Sequence, residues 1–116
     1  MDIVHGNVVS VYEKICLDIT ESNHNMLIPW YIMSAYAYYV EDDPIISDGM
    51  FDRICQRLLE DYDNVEHIHK KYVKKDTLES GTYLGEYPSR TEDVVRQLRR
   101  TYGDQWTRTI LCLHAS

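Results

Sequence analysis

Two aspartates, Asp48 and Asp52, lie one helical turn apart in the segment "SDGMFDR", and two tyrosines, Tyr38 and Tyr39, precede them in the chain. Ionised carboxylates accept hydrogen bonds from hydroxyl and amide groups, while aromatic faces stack on planar rings and attract cations. Acids beside aromatic rings therefore suit a flat, positively charged ring such as nicotinamide and the hydroxyls of an attached ribose. The alternative is that both acids are ordinary first-turn residues that complement a helix dipole.

A turn between the two pairs of residues is predicted to bring them together. Asp43 precedes Pro44, and the residue before a proline is disfavoured in the helical region, so the helix that carries Tyr39 must end there. Ser47 is a good N-cap for the helix that follows. The sequence therefore predicts a helix–turn–helix corner that gathers the tyrosines and the aspartates around one hollow.

The stretch "YYVEDDPIISDGMFDRICQRL" resembles the small helical N-terminal domain of bacterial NAD-dependent DNA ligases, which clasps the nicotinamide mononucleotide (NMN) half of NAD. That family carries Tyr-His, then Asp-x-Pro-x-Ile-x-Asp, then Tyr-Asp-Arg-Leu. The resemblance implies that Tyr38, Asp48 and Asp52 match the family's tyrosine and its two aspartates. Tyr39 stands where the family has histidine, and Phe51 stands where it has tyrosine. The ligase-like core covers about residues 25–62 of one domain spanning 1–116.

The wider chain, including "EHIHKKY" and "SGTYLGEYP", resembles short ligase-related proteins encoded by bacteriophages. The 116 residues contain no Lys-x-Asp-Gly adenylation motif and no four-cysteine zinc site. The resemblance implies a non-catalytic module that binds NAD or NMN without a metal. Two other functions stay open. One is a protein-interaction module that mimics the ligase domain and binds or inhibits a host replication or defence protein. The other is an enzyme that cleaves or transfers part of NAD.

His67, His69 and Lys70 form a second group of candidate residues. The two histidines would share a face on a strand and point apart on a helix. They could meet a phosphate, form a metal site with neighbouring acids, or be solvated residues of an ordered loop. Because no third metal ligand follows at a fixed spacing, we count the three residues as candidates for the phosphate side of a nucleotide site.

Composition limits the class of protein. A chain of 116 residues with 44% apolar residues favours one domain with one core. A net charge of -7 makes duplex nucleic acid an unlikely partner. Three cysteines without a CxxC pair indicate buried thiols in a reducing compartment, and the longest apolar run is interrupted by Pro29 and several tyrosines. We therefore expect a cytoplasmic protein, in the host cytoplasm if phage-encoded, with no membrane partner.

Hydrophobic spacing predicts a mainly α fold with four or so helices. The first covers residues 7–20, and the second runs from Leu27 to Val40, capped by Asn25 and apolar around most of its circumference. The third begins after Ser47 and has one apolar stripe, formed by Phe51, Ile54, Cys55, Leu58, Leu59 and Tyr62.

The second half of the chain is less regular in its pattern. "SRTE", from Ser89 to Glu92, reads as a capping box that opens a fourth helix, which Gly103 ends. Its inward residues are predicted to be Val94, Val95, Leu98 and Tyr102. The segment 63–75 is a short helix or an ordered loop, and residues 80–88 form an irregular or β element. The last ten residues fit a strand or a docking helix.

Overall fold

The computed structural model of the chain describes residues 3–81, 83 and 85–103, with side chains described from residue 11 onward. Within these residues there are five α-helices: α1 Ile3–Ser22, α2 Leu27–Tyr39, α3 Asp48–Asp61, α4 Lys75–Ser80 and α5 Thr91–Leu98. Shorter turns of 3₁₀-helix occupy His24–Met26 and Lys70–Tyr72, and a π-helical turn occupies Arg99–Gly103. The described residues contain no strand, so the predicted mainly α fold is confirmed. The element predicted for the last ten residues lies outside the described part.

Helix α2 is the centre of the core, as its apolar circumference predicts. It packs against both α3 and α5, and α3 packs in turn against α4. Nine of its residues are buried: Leu27, Ile28, Trp30, Tyr31, Ile32, Met33, Ser34, Ala35 and Ala37. A helix that is enclosed on several sides in this way holds both of its ends in fixed positions relative to its neighbours.

The corner between α2 and α3 has the predicted form. The chain leaves α2 through a backbone hydrogen bond of 2.9 Å from the Asp43 N–H to the Ala37 carbonyl. Asp42 lies in this turn at φ 52°, in the left-handed region that aspartate tolerates better than most residues. Ser47 then caps α3, because its hydroxyl accepts the Met50 N–H at 3.2 Å.

Arg99 fixes this turn from the far end of α5. Its guanidinium lies 2.9 Å from a carboxylate oxygen of Glu41 and 3.1 Å from one of Asp43, and it also donates to the Asp43 carbonyl. Two of the three groups are about one quarter exposed, at 25% for Arg99 and 26% for Glu41. The cross-link joins two parts of the chain that are distant in sequence, so it stabilises the position of the corner.

Three local predictions are wrong, two of them because another partner competes. Asn25 does not cap α2; Asn23 caps the preceding 3₁₀ turn, and the Asn25 side chain accepts the Glu66 N–H at 2.9 Å. The capping box at Ser89 does not form. Instead, α5 begins after Arg90 without a side-chain cap, and Glu92 lies 2.5 Å from Arg96.

Val94 is the third correction. It is 46% exposed, whereas Val95 is fully buried, so only one of the two neighbouring valines faces the core. The helix is also shorter than predicted, since the regular α-helical part ends at Leu98 and a π-helical turn follows. Helix α4 has no counterpart among the predicted helices. Gly81 ends it in the left-handed region at φ 74°, donating its N–H to Thr77.

Candidate functional site

A pocket of about 250 Å³ lies at the helix–turn–helix corner. We call it the corner pocket. Its described lining consists of Ser34, Tyr38, Tyr39, Ile46, Asp48, Phe51, Asp52 and Gly81. Five of the eight residues predicted from the sequence to bind a nucleotide therefore face one cavity. The end of α2, the turn, the start of α3 and the end of α4 each supply part of its wall.

The aromatic side of the corner pocket is formed by three rings. Tyr38 and Tyr39 are 45% and 42% exposed, and their rings meet edge to face with centroids 4.8 Å apart. Phe51 is half-buried and stacks on the buried Tyr31 at a centroid distance of 5.3 Å. Because Phe51 is fixed from behind and the tyrosines are open to solvent, a flat ligand can meet aromatic surface without unfolding the core.

Partial burial raises the pKa of the Tyr39 phenol, and the neighbouring Tyr38 and Asp48 act in the same direction. Deprotonation of an already weak acid is thereby made less favourable. Tyr39 is accordingly a neutral hydroxyl at pH 7 and can both donate and accept a hydrogen bond. It adds no negative charge to the pocket.

The acidic side is formed by Asp48 and Asp52, both of which are exposed. Asp48 is the first residue of α3, and Asp52 follows one turn later on the same side of the helix. None of the described residues that line the pocket carries a positive charge. The corner pocket therefore favours cations and hydrogen-bond donors, and it disfavours a phosphate or carboxylate in direct contact with its rim.

The floor of the corner pocket contains an unpaired hydroxyl. Ser34 is 2% exposed, and its Oγ has no hydrogen-bond partner among the described residues. Ile46, which is 4% exposed, lies in the same lining. Neither residue was among the predicted site residues. Ser34 could have been noticed, because it is a polar residue in a stretch predicted to be buried on all sides.

His67, His69 and Lys70 do not belong to the described lining of the corner pocket. The His67 ring accepts the His69 N–H at 3.1 Å, and the two rings lie 5.4 Å apart. Lys70 donates to the Val65 carbonyl at 2.9 Å and lies 4.6 Å from the centre of the Tyr62 ring. The His67 ring and the Lys70 ammonium thus make their polar contacts away from the corner pocket.

A wider groove of about 670 Å³ lies beside the start of α4. Its described lining consists of Lys71, Tyr72, Lys74, Asp76, Thr77, Tyr83, Gly85 and Glu86. Two lysines face two acids there, so the groove has no clear preference for either sign of charge. In the described part of the chain, no three potential metal ligands of the His, Cys, Asp or Glu type come together around one point.

The described cysteines are core residues, as predicted. Cys16 and Cys55 are 0% and 3% exposed. Burial raises the pKa of the Cys16 thiol to about 12 and that of the Cys55 thiol to about 11. Since the thiolate is the reactive form, neither is a nucleophile at neutral pH.

Comparison of the chain with protein-family models, with curated proteins and with solved structures finds no match. None of the helices in the described residues has the length and apolar character needed to cross a bilayer.

Proposed function

We propose that the protein is a non-catalytic module that binds the nicotinamide riboside portion of a pyridine nucleotide such as NMN or NAD. The observation that supports it best is that Tyr38, Tyr39, Asp48 and Asp52 line one solvent-accessible pocket. A cationic pyridinium ring is attracted both by aromatic faces and by carboxylates. Ribose hydroxyls are donors that carboxylates accept.

The volume of the corner pocket supports a ligand fragment rather than a whole dinucleotide. Pockets that enclose a drug-sized molecule have volumes of roughly 300–1,000 Å³. The corner pocket, at about 250 Å³, is slightly smaller, so it suits one ring and its sugar. The remaining nucleotide of NAD would lie outside it, in solvent or on another part of the surface.

The charge of the lining predicts an order of affinities. Asp48 and Asp52 attract the pyridinium but repel a nearby phosphate. Nicotinamide riboside, which has the pyridinium charge but no phosphate, is therefore expected to bind at least as tightly as NMN and NAD. AMP, which has an adenine instead of a cationic ring, is expected to bind much more weakly.

Isothermal titration calorimetry with these four ligands tests the proposal. Saturable binding of nicotinamide riboside, NMN and NAD with little or no heat from AMP is the expected result. Equal binding of AMP, or no binding of any pyridine nucleotide by the folded protein, contradicts it. Chromatography of NAD after prolonged incubation with the protein is expected to show NAD unchanged, since the module is proposed to bind without catalysis.

The same exposed surface favours a second candidate, a protein-interaction module of a bacteriophage acting in the host cytoplasm. Tyr38, Tyr39 and Val40 are consecutive, large and 42–54% exposed, which is typical of contact residues. A net charge of -7 suits a partner with a basic face. Affinity capture from bacterial lysate with and without millimolar NMN separates the two: a stoichiometric partner that NMN does not displace favours the interaction module.

A further inference from the structure

The Ser34 hydroxyl differs from an ordinary buried hydroxyl in a helix. Serine and threonine inside helices commonly donate to a backbone carbonyl one turn earlier. Thr20, buried in α1, does so, donating its hydroxyl to the Cys16 carbonyl at 2.7 Å. Ser34 is equally buried in α2 but makes no such bond within the described residues. Within the part of the chain that the structure describes, its hydrogen-bonding capacity is unused.

Ser34 is the buried polar residue in the described lining of the corner pocket. Ser34 and Ile46 are almost completely buried in the lining of the corner pocket, whereas Tyr38, Asp48 and Asp52 in the same lining are exposed. Ser34 precedes Tyr38 by one helical turn, so both residues lie on the same face of α2. A ring that contacts Tyr38 with its sugar at the acids therefore directs its far edge toward Ser34.

We propose that Ser34 is the residue that selects a ring bearing a carboxamide, by donating its hydroxyl to the carboxamide oxygen. This inference rests on the proposed function. In the bound state the ribose hydroxyls meet Asp48 and Asp52 at the opening, and the carboxamide reaches the floor. Because the hydroxyl has no partner among the described residues, this hydrogen bond favours binding without breaking one that those residues make.

A cycle of one protein substitution and one ligand change isolates this contact. The ligands are nicotinamide riboside and ribosylpyridinium, which has the same charge and sugar but no carboxamide. The proteins are the wild type and Ser34→Ala. The wild type is expected to bind nicotinamide riboside about tenfold more tightly than ribosylpyridinium, and Ser34→Ala to bind the two equally, since one buried hydrogen bond is lost on either change.

Thr20→Val is the matched control, because it also removes a buried hydroxyl but one that is already bonded in α1. It is expected to lower the urea midpoint of unfolding and to leave both affinities unchanged. Ser34→Ala is expected to have a midpoint no lower than that of the wild type, which shows that the variant folds.

The outcomes separate the two proposals. If the wild type binds both ligands and Ser34→Ala weakens both equally, or weakens neither, the role of Ser34 is overturned while the proposed function stands. If the wild type binds neither ligand, the proposed function fails and the role of Ser34 fails with it. If the wild type and Thr20→Val prefer the ligand with the carboxamide and Ser34→Ala does not, both the proposed function and the role of Ser34 are supported.

Discussion

The corner pocket and the turn that contains His67, His69 and Lys70 differ in how their polar groups are used. In the pocket, the Ser34 hydroxyl has no described partner and Asp48 and Asp52 face solvent. In the turn, the His67 ring accepts a backbone N–H, and the Lys70 ammonium is held by a carbonyl and an aromatic ring. A group that is already bonded must give up that bond to meet a ligand, and an unbonded group need not. This difference predicts that the polar groups of the pocket bind a ligand and that those of the turn stabilise the fold.

The largest expected effect is on ligand affinity at the pocket. Replacing both acids in Asp48→Asn/Asp52→Asn should weaken nicotinamide riboside by about 100-fold, since each carboxylate makes a charge-assisted contact. Calorimetric titration measures the change. The pair Glu79→Gln/Asp93→Asn is the matched control, because it removes two exposed charges outside the pocket lining.

The double variant His67→Asn/His69→Asn provides the other half of this test. It should change the affinity for nicotinamide riboside by less than about twofold, because neither histidine belongs to the described lining of the corner pocket. A loss similar to that of the aspartate variant would break the comparison and would restore the two histidines as ligand contacts.

Arg99 sharpens the comparison, because it secures the turn that supports the pocket. Arg99→Met removes its bonds to Glu41 and Asp43 and should lower the free energy of unfolding by about 2 kcal/mol. Urea denaturation measures this change. Arg96→Met is the control: its exposed pair with Glu92 should contribute only about 0.3–0.5 kcal/mol. Equal losses in both variants would show that Arg99 has no special role at the corner.

Lys70 tests the stability side of the comparison. Lys70→Met leaves the carbonyl of the buried Val65 without its donor and removes the cation from the Tyr62 ring. The free energy of unfolding should fall by about 1 kcal/mol, with ligand affinity unchanged. Lys71→Met should have a smaller effect, since Lys71 is exposed and lies 5.6 Å from the centre of the Tyr72 ring. If Lys70→Met were as stable as the wild type but bound nicotinamide riboside more weakly, Lys70 would be a ligand contact and not a stabilising residue.

The smallest expected effect is a pH dependence at His67. Burial, followed by the charge of His69, lowers the pKa of His67 below its usual 6.5. As the pH falls, His67 is therefore protonated in the unfolded chain before it is protonated in the folded protein. The contribution of neutral His67 to the free energy of unfolding is complete above about pH 6.5 and is lost as the pH falls through the folded-state pKa. Urea midpoints at pH 7.5 and 5.0 should differ more in the wild type than in His67→Asn. An equal difference in the two proteins would contradict the direction of the shift.

Local chemistry made much of this architecture predictable. Pro44 forces a turn, Ser47 caps α3, and the apolar stripe of α3 has one clear period, so the corner could be located from neighbouring residues alone. The presence of Tyr38 and Asp48 in one pocket could also be predicted from the sequence, because two helices joined by a short turn must lie close together.

Features that depend on distant partners could not be predicted in this way. Asn25 bonds to Glu66 instead of capping α2, and the exposure of Val94 depends on how α5 meets α2. The unpaired hydroxyl of Ser34 is likewise visible only when its surroundings are in place. Periodicity identifies which residues are buried, but it does not identify which buried polar atoms lack a partner.

Ser47 connects the corner to the rest of the molecule through a second bond. While its hydroxyl caps α3, its own N–H donates to a carboxylate oxygen of Glu13 in α1 at 2.6 Å. A hydrogen bond from an amide to a carboxylate is shorter and stronger than one between neutral groups, and the NMR resonance of the amide proton responds to changes in that bond. The Ser47 amide is thus a natural spectroscopic probe at the base of the helix that carries both aspartates, and it can report ligand occupancy without any added label on the pocket itself.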